Sequence, residues 1–130
     1  MKEVIEKVKE FHSVFGLDYQ QEPVADVGRR IIELRHRLMQ EENDEYLEAA
    51  VNGDLTLVAD ALGDKLYILC GTILAHGLQH KIVEVFEEIH RSNMSKLDSN
   101  GNPIYREDGK ILKSENYFLP DINSILNKKS

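Results

Sequence analysis

Apolar residues recur at helical spacing from the start of the chain to about residue 96. The pattern predicts four helices, over 2–14, from Pro23 to about 51, from 55 to about 77 and from about 79 to 94. Asn52-Gly53 should end the second helix, and Asp54 should cap the third, because an Asp side chain accepts backbone N–H groups at a helix start. Such a short connection would make the second and third helices antiparallel neighbours.

Turn-forming residues dominate the chain after Lys96. Asp108-Gly109 is typical of a tight hairpin turn, with short strands expected over 104–106 and 111–113. Residues 120–130 are expected to form a short terminal helix or a tail. We therefore predict an all-α fold, an antiparallel bundle of four to five helices with a small C-terminal β-hairpin or loop. The 130 residues are expected to form one domain, with a helical core over about 2–96 and a hairpin and tail over about 97–130.

Composition excludes several classes of protein. A net charge of −7 argues against binding to a nucleic-acid polymer, which requires a basic surface. The longest apolar stretch, over 66–78, is too short to span a bilayer, so no membrane partner is expected. Cys70 is the single cysteine, which excludes a disulfide within the chain and is consistent with a cytoplasmic protein. The N-terminus has no signal-peptide core.

A run of acidic residues is the most informative chemical feature. The segment from Glu41 to Asp64 carries eight carboxylates and no Lys, Arg or His. Solvated helices normally mix charges, since like charges one turn apart are destabilising. Some of these acids also continue the apolar rows of their helices, where an unpaired carboxylate is costly. The pattern therefore indicates that a cation binds here.

Five carboxylates are the candidate metal ligands, and they fall into one set on each helix: Glu41, Glu42 and Glu45, then Asp60 and Asp64. The members of each set are three or four residues apart and share a helix face. Oxygen donors without Cys or paired His favour Mg²⁺, with Mn²⁺ as an alternative. The competing interpretation is a set of solvated surface acids, which we still assign to Asp44 and Glu48.

Glu41-Glu42-Asn43-Asp44-Glu45 resembles the Glu-Glu-x-x-Glu motif of the all-α nucleoside triphosphate pyrophosphohydrolases. That superfamily includes MazG-like enzymes, dimeric dUTPases and phosphoribosyl-ATP pyrophosphohydrolases. Its second motif, Glu-x-x-Asp, falls at Ala61-Leu62-Gly63-Asp64, so Ala61 stands where the family has Glu. We expect Asp60 and Asp64 together to replace that pair. The segments 59–64 and 89–96 are similar to a MazG-like subgroup.

The resemblance implies metal-dependent hydrolysis of a nucleoside triphosphate between its α and β phosphates. Glu41 and Glu45 are the expected catalytic residues, with Glu41 orienting or deprotonating the attacking water. Asn93, Lys96, Lys110 and Lys113 are the expected substrate ligands, because a triphosphate needs positive charge beyond the metal. The resemblance also implies a homodimer or homotetramer.

Three other functions remain open. The absence of Glu at position 61 is compatible with a nucleotide-binding or regulatory protein of weak activity. The acidic residues are also compatible with a helical protein–protein interaction module. A third alternative is a related enzyme that acts on another phosphate ester, such as a phosphoribosyl-nucleotide. The sequence does not distinguish among bases or between ribose and deoxyribose.

Overall fold

The computed structural model describes residues 1–128, and over that range it contains five helices and one β-hairpin. The described chain divides into two compact units with their boundary between His80 and Lys81. The first unit contains three helices and the second contains two helices and the hairpin. The elements are α1 Lys2–Val14, α2 Arg29–Val51, α3 Leu55–Ala75, α4 Ile82–Met94, β1 Ile104–Tyr105, β2 Ile111–Leu112 and α5 Ile122–Asn127. The predicted all-α fold with a small C-terminal hairpin is therefore confirmed.

The α2–α3 hairpin is the part of the first unit that carries the acidic residues. Gly53 makes the turn with φ 68°, and Asp54 caps α3 by accepting the Leu57 backbone N–H at 3.1 Å. Arg35, early in α2, contacts residues late in α3, whereas Asn43 contacts Lys65 nearer the middle. The two helices are therefore antiparallel, as the short connection predicts.

The prediction that the second helix starts at Pro23 was wrong, since α2 starts at Arg29. The preceding segment is instead bound to the end of α3. Gln20 donates its backbone N–H to the Leu74 carbonyl at 3.1 Å, and Val24 donates to the His76 carbonyl at 2.9 Å. These partners are distant in the sequence, so local helical spacing does not reveal them.

The fourth helix also starts later than predicted, at Ile82 instead of about Gln79. The Gln79 side chain is buried and donates to the Gln20 carbonyl at 2.7 Å, which ties residues 79 and 20 together. Gly77, with φ 67°, lies so close to the Glu22 carbonyl that any Cβ there would overlap it. The close approach of this segment therefore requires glycine at position 77.

The buried core of the first unit combines apolar side chains with two basic ones. Val8 of α1 and Leu74 of α3 are almost fully buried. His12 and Arg35 are also buried, with 4% and 8% of their surface exposed. Burial of basic groups is unusual unless they are hydrogen-bonded.

In the second unit, the hairpin pairs Ile104 with Leu112 and Tyr105 with Ile111 in antiparallel register. Asp121 caps α5 by accepting the Ser124 backbone N–H at 3.2 Å. The predicted terminal segment is thus a helix that ends at Asn127, and residues 129 and 130 of that prediction lie outside the described range. Over residues 1–128, no helix is long and apolar enough to cross a membrane.

His12 should make the stability of the protein depend on pH. Burial lowers the pKa of His12, the backbone of Asp18 partly opposes this effect, and the nearby Arg35 charge lowers the pKa further. The unfolded chain therefore binds this proton near pH 6.5, and the folded chain binds it only at lower pH. The resulting stability is present above pH 6.5 and is lost as the pH falls below it.

Thermal unfolding of the wild type and of His12→Gln at pH 7.5 and 5.5 measures this effect. We expect the wild-type melting temperature to fall more on acidification than that of the variant. Equal falls in the two proteins would show that His12 does not contribute.

Candidate metal centre

Three carboxylates converge where α2 packs against α3. Glu42 and Glu45 lie one turn apart on α2, and Asp64 lies on α3. Each offers one oxygen atom, and the three oxygens lie within 4.8 Å of one another. The antiparallel hairpin therefore joins the two acidic sets that the sequence placed on separate helices.

Glu42 is the least exposed member of this trio. Its Oε2 atom is shielded from solvent and has no hydrogen-bond partner in the structure. Burial raises the pKa of Glu42 to about 6, helped by a hydrogen bond with Glu45 and by the charges of Glu45, Asp64 and Asp60. Glu45 and Asp64 themselves are exposed.

The donor set of the trio is compatible with a cation site. Across residues 1–128, none of its carboxylates forms a salt bridge with Lys, Arg or His. The shielded Oε2 atom of Glu42, which has no hydrogen-bond partner, is suited to contact a cation. A set of carboxylate oxygens is the donor chemistry that Mg²⁺ and Mn²⁺ prefer.

The other two predicted ligands, Glu41 and Asp60, do not belong to this trio. Glu41 is exposed on α2 beside Glu42. Asp60 lies one turn before Asp64 and lines a neighbouring cleft of about 350 Å³. Asp60 is close enough to the trio to contribute to the raised pKa of Glu42.

The neighbouring cleft has acidic and apolar walls. Its lining residues are Glu45, Glu48, Ala49, Asn52, Leu57, Asp60 and Ala61. Ala61 is only 2% exposed, so the position where the resembling enzymes have Glu is here part of the helix–helix contact.

Two basic residues near the acidic run were missed by the sequence analysis. Lys65, the residue after Asp64, donates from Nζ to Oδ1 of Asn43 and so connects α3 to α2 beside the trio. Arg35 connects the same two helices farther along. Their positions in the sequence could have identified them, because Lys65 directly follows the acidic run and Arg35 is next to the apolar row of α2.

The predicted substrate ligands all belong to the second unit. Asn93 is exposed near the end of α4, and Lys96 follows that helix as a half-buried residue. Lys110 donates its backbone N–H to Oδ1 of Asp108 in the hairpin turn at 3.1 Å. Lys113 places Nζ 4.7 Å from the centre of the Tyr117 ring. Contact of these residues with phosphate remains a prediction.

A family model described as phosphoribosyl-ATP pyrophosphohydrolase matches residues 8–93, which is more than half of the chain. The chain belongs to this family. The matched segment contains α2, α3 and the whole carboxylate trio, and it ends before Lys96, Lys110 and Lys113. Membership in the phosphoribosyl-ATP pyrophosphohydrolase family makes the protein a hydrolase of a pyrophosphate bond in a nucleotide-like substrate. No curated protein matches the sequence.

The raised pKa of Glu42 can be tested directly on the metal-free protein. We expect a carboxyl ¹³C NMR titration of Glu42 to have its midpoint at about 6. Asp64→Asn should lower that midpoint because it removes a neighbouring negative charge. Asp44→Asn is the matched control, since Asp44 hydrogen-bonds to Gln40 and is outside the trio. A wild-type midpoint near 4.5 would contradict the described arrangement.

Proposed function

We propose that this protein is a Mg²⁺-dependent nucleoside triphosphate pyrophosphohydrolase that releases pyrophosphate and a nucleoside monophosphate. The convergence of Glu42, Glu45 and Asp64 is the observation that supports metal dependence. Family membership supports hydrolysis of the pyrophosphate bond. The similarity of segments 59–64 and 89–96 to a MazG-like subgroup supports a triphosphate substrate over a phosphoribosyl-nucleotide.

Glu42, Glu45 and Asp64 would hold the metal, and Asp60 would complete the ligand set from the adjoining cleft. When bound, Mg²⁺ neutralises phosphate oxygens and favours attack by water. Because the pKa of Glu42 is raised to about 6, protons should compete with a cation for this carboxylate below about pH 6. Mn²⁺ would bind the same oxygen donors.

Glu41 is the proposed base that orients or deprotonates the attacking water. Its exposed carboxylate is adjacent in sequence to the trio but is not one of its members. It therefore remains free to accept a proton. Asn93, Lys96, Lys110 and Lys113 would bind the phosphates or the nucleoside, with the lysines supplying positive charge.

Pyrophosphate release from a panel of nucleotides tests the proposal. The panel contains the common ribo- and deoxyribonucleoside triphosphates, dUTP, oxidised nucleotides and phosphoribosyl-ATP, each with Mg²⁺, Mn²⁺ or EDTA. We expect metal-dependent release from at least one triphosphate. Release from phosphoribosyl-ATP alone would show that the substrate is a phosphoribosyl-nucleotide. Thermal stabilisation by a nucleotide without any release would assign a binding or regulatory role.

Glu45→Gln should abolish turnover while leaving the helical fold intact. The substitution removes one charged ligand of the trio, so we expect the rate to fall by at least about a hundredfold. The side chain is exposed, so the helical fold should be retained. Steady-state rates and the far-ultraviolet circular dichroism spectrum measure the two effects. Asp44→Asn serves as the control and should retain activity. Undiminished Mg²⁺-dependent turnover by Glu45→Gln would refute the assigned ligand.

We also propose that the protein is a homodimer or homotetramer, on the evidence of an unpartnered apolar face of α3. Leu55, Leu62 and Leu69 recur every seven residues, and they are 80%, 49% and 41% exposed. At 100° per residue, this stripe lies roughly opposite Asp64 on the helix. A second copy packing on the stripe would leave the acidic face of α3 free for the metal.

Leu62→Glu should therefore dissociate the oligomer. Size-exclusion chromatography with light scattering should give a wild-type mass that is a multiple of 14.9 kDa, and the single-chain mass for the variant. Thr56→Glu, an exposed position on α3 outside the stripe, is the control. A monomeric wild type at micromolar concentration would remove the oligomer proposal.

A further inference from the structure

Arg35 is a buried cation that has no carboxylate partner among residues 1–128. Its guanidinium reaches from α2 to α3 and makes two directional hydrogen bonds. Nε donates to Oγ1 of Thr72 at 3.1 Å, and Nη2 donates to the carbonyl oxygen of Ile68 at 2.9 Å. The Thr72 hydroxyl itself donates to that same carbonyl at 2.9 Å. The two acceptors are therefore held in a fixed position relative to each other.

The guanidinium fits against α3 only because residue 71 is glycine. A Cβ at Gly71 would overlap Nη2 of Arg35 and would come within 3.1 Å of Nε2 of His12. Gly63, the other glycine of α3, has open space around its missing Cβ. Gly71, Ile68 and Thr72 thus form a recess on α3 with acceptors that match one side chain of α2. We call this set, with Arg35, the Arg35 contact.

Directionality distinguishes the Arg35 contact from the rest of the helix–helix packing. Apolar burial, as at Ala49 and Ala61, stabilises association but does not depend strongly on small axial shifts. Hydrogen bonds depend steeply on distance and angle. The second polar link between the helices, Lys65 with Asn43, involves exposed groups and constrains the helices less. Arg35 therefore provides a directional constraint on how far α2 lies along α3.

The carboxylate trio is sensitive to that axial position. Arg35 lies two turns before Glu42 on α2, and Ile68 lies one turn after Asp64 on α3. An offset of one residue would move the ligands by about 1.5 Å. Mg²⁺ sites tolerate only about 0.2 Å in ligand distance. A shift of a fraction of a residue is thus enough to disrupt coordination.

We propose that Arg35 is a positioning residue, which sets the register of α2 on α3 and thereby brings Glu42, Glu45 and Asp64 to metal-binding geometry. This inference rests on the proposed function, because it requires that the trio bind a metal. The proposed function does not, in turn, depend on this role of Arg35.

Mn²⁺ binding measured by isothermal titration calorimetry, with thermal unfolding measured in parallel, tests the proposal. The variants are Arg35→Met, Gly71→Ala, Thr72→Val and Arg35→Lys. We expect the first two to raise the Mn²⁺ dissociation constant by about tenfold or more in protein that is still folded. Arg35→Lys should have a smaller effect, because it retains the charge and one donor. Gly71→Ala and Thr72→Val retain the arginine but disturb its contact with α3, and they provide the test if Arg35→Met does not fold.

Two controls separate positioning from general stability. Arg37→Met removes an exposed arginine from the same helix and should leave both properties unchanged. Val8→Ala removes a buried side chain of α1 and so makes a cavity in the core. It should lower the melting temperature without changing Mn²⁺ affinity. If the Arg35 contact variants lower the melting temperature without changing Mn²⁺ affinity, as Val8→Ala should, then Arg35 has only a structural role and the proposal is overturned.

The wild type distinguishes this proposal from the proposed function. A wild type that binds no Mn²⁺ would refute the metal centre and the positioning role together. The wild type could instead bind Mn²⁺, with weaker binding by the Arg35 contact variants, and yet hydrolyse no nucleotide. That result would refute the proposed activity and support the positioning role.

Discussion

The packing of α2 against α3 holds three carboxylates within 4.8 Å against their mutual repulsion. Burial and the neighbouring negative charges together raise the pKa of Glu42 to about 6. Closely spaced, partly shielded carboxylates disfavour the fully ionised state, and a bound cation relieves that repulsion. The same repulsion that opposes folding when no metal is bound therefore favours metal binding.

The first unit contains other polar groups in its interior. Arg35 and His12 are buried beside Gly71, where apolar side chains would give more favourable burial. Large apolar residues meanwhile remain exposed on α3, including Leu55 and Leu62. Metal binding and association with a second copy would both act on the folded state alone, and each would raise its stability by mass action. On this account, the isolated metal-free chain is the least stable form of the protein.

Local signals predicted the elements that depend on local interactions. The bounds of α1, the cap at Asp54 and the hairpin turn at Asp108-Gly109 follow from spacing and side-chain chemistry near each position. The start of α2 does not, because Gln20 and Val24 bond to the distant end of α3. The sequence likewise identified the acidic helices, but which carboxylates converge depends on the rotation and register of one helix on the other. The burial of Arg35 could not be predicted from local sequence patterns, because it depends on the absence of a Cβ at Gly71, on the other helix.

Crystals soaked in Mn²⁺ and measured for anomalous scattering would test the central claim most directly. The account predicts a Mn²⁺ peak coordinated by Glu42, Glu45 and Asp64, with ligand distances of about 2.0–2.3 Å. The same map would show whether Asp60 or Glu41 joins the ligand set. A saturating soak that leaves these three carboxylates without a metal, or that places Mn²⁺ only at other residues, would contradict it.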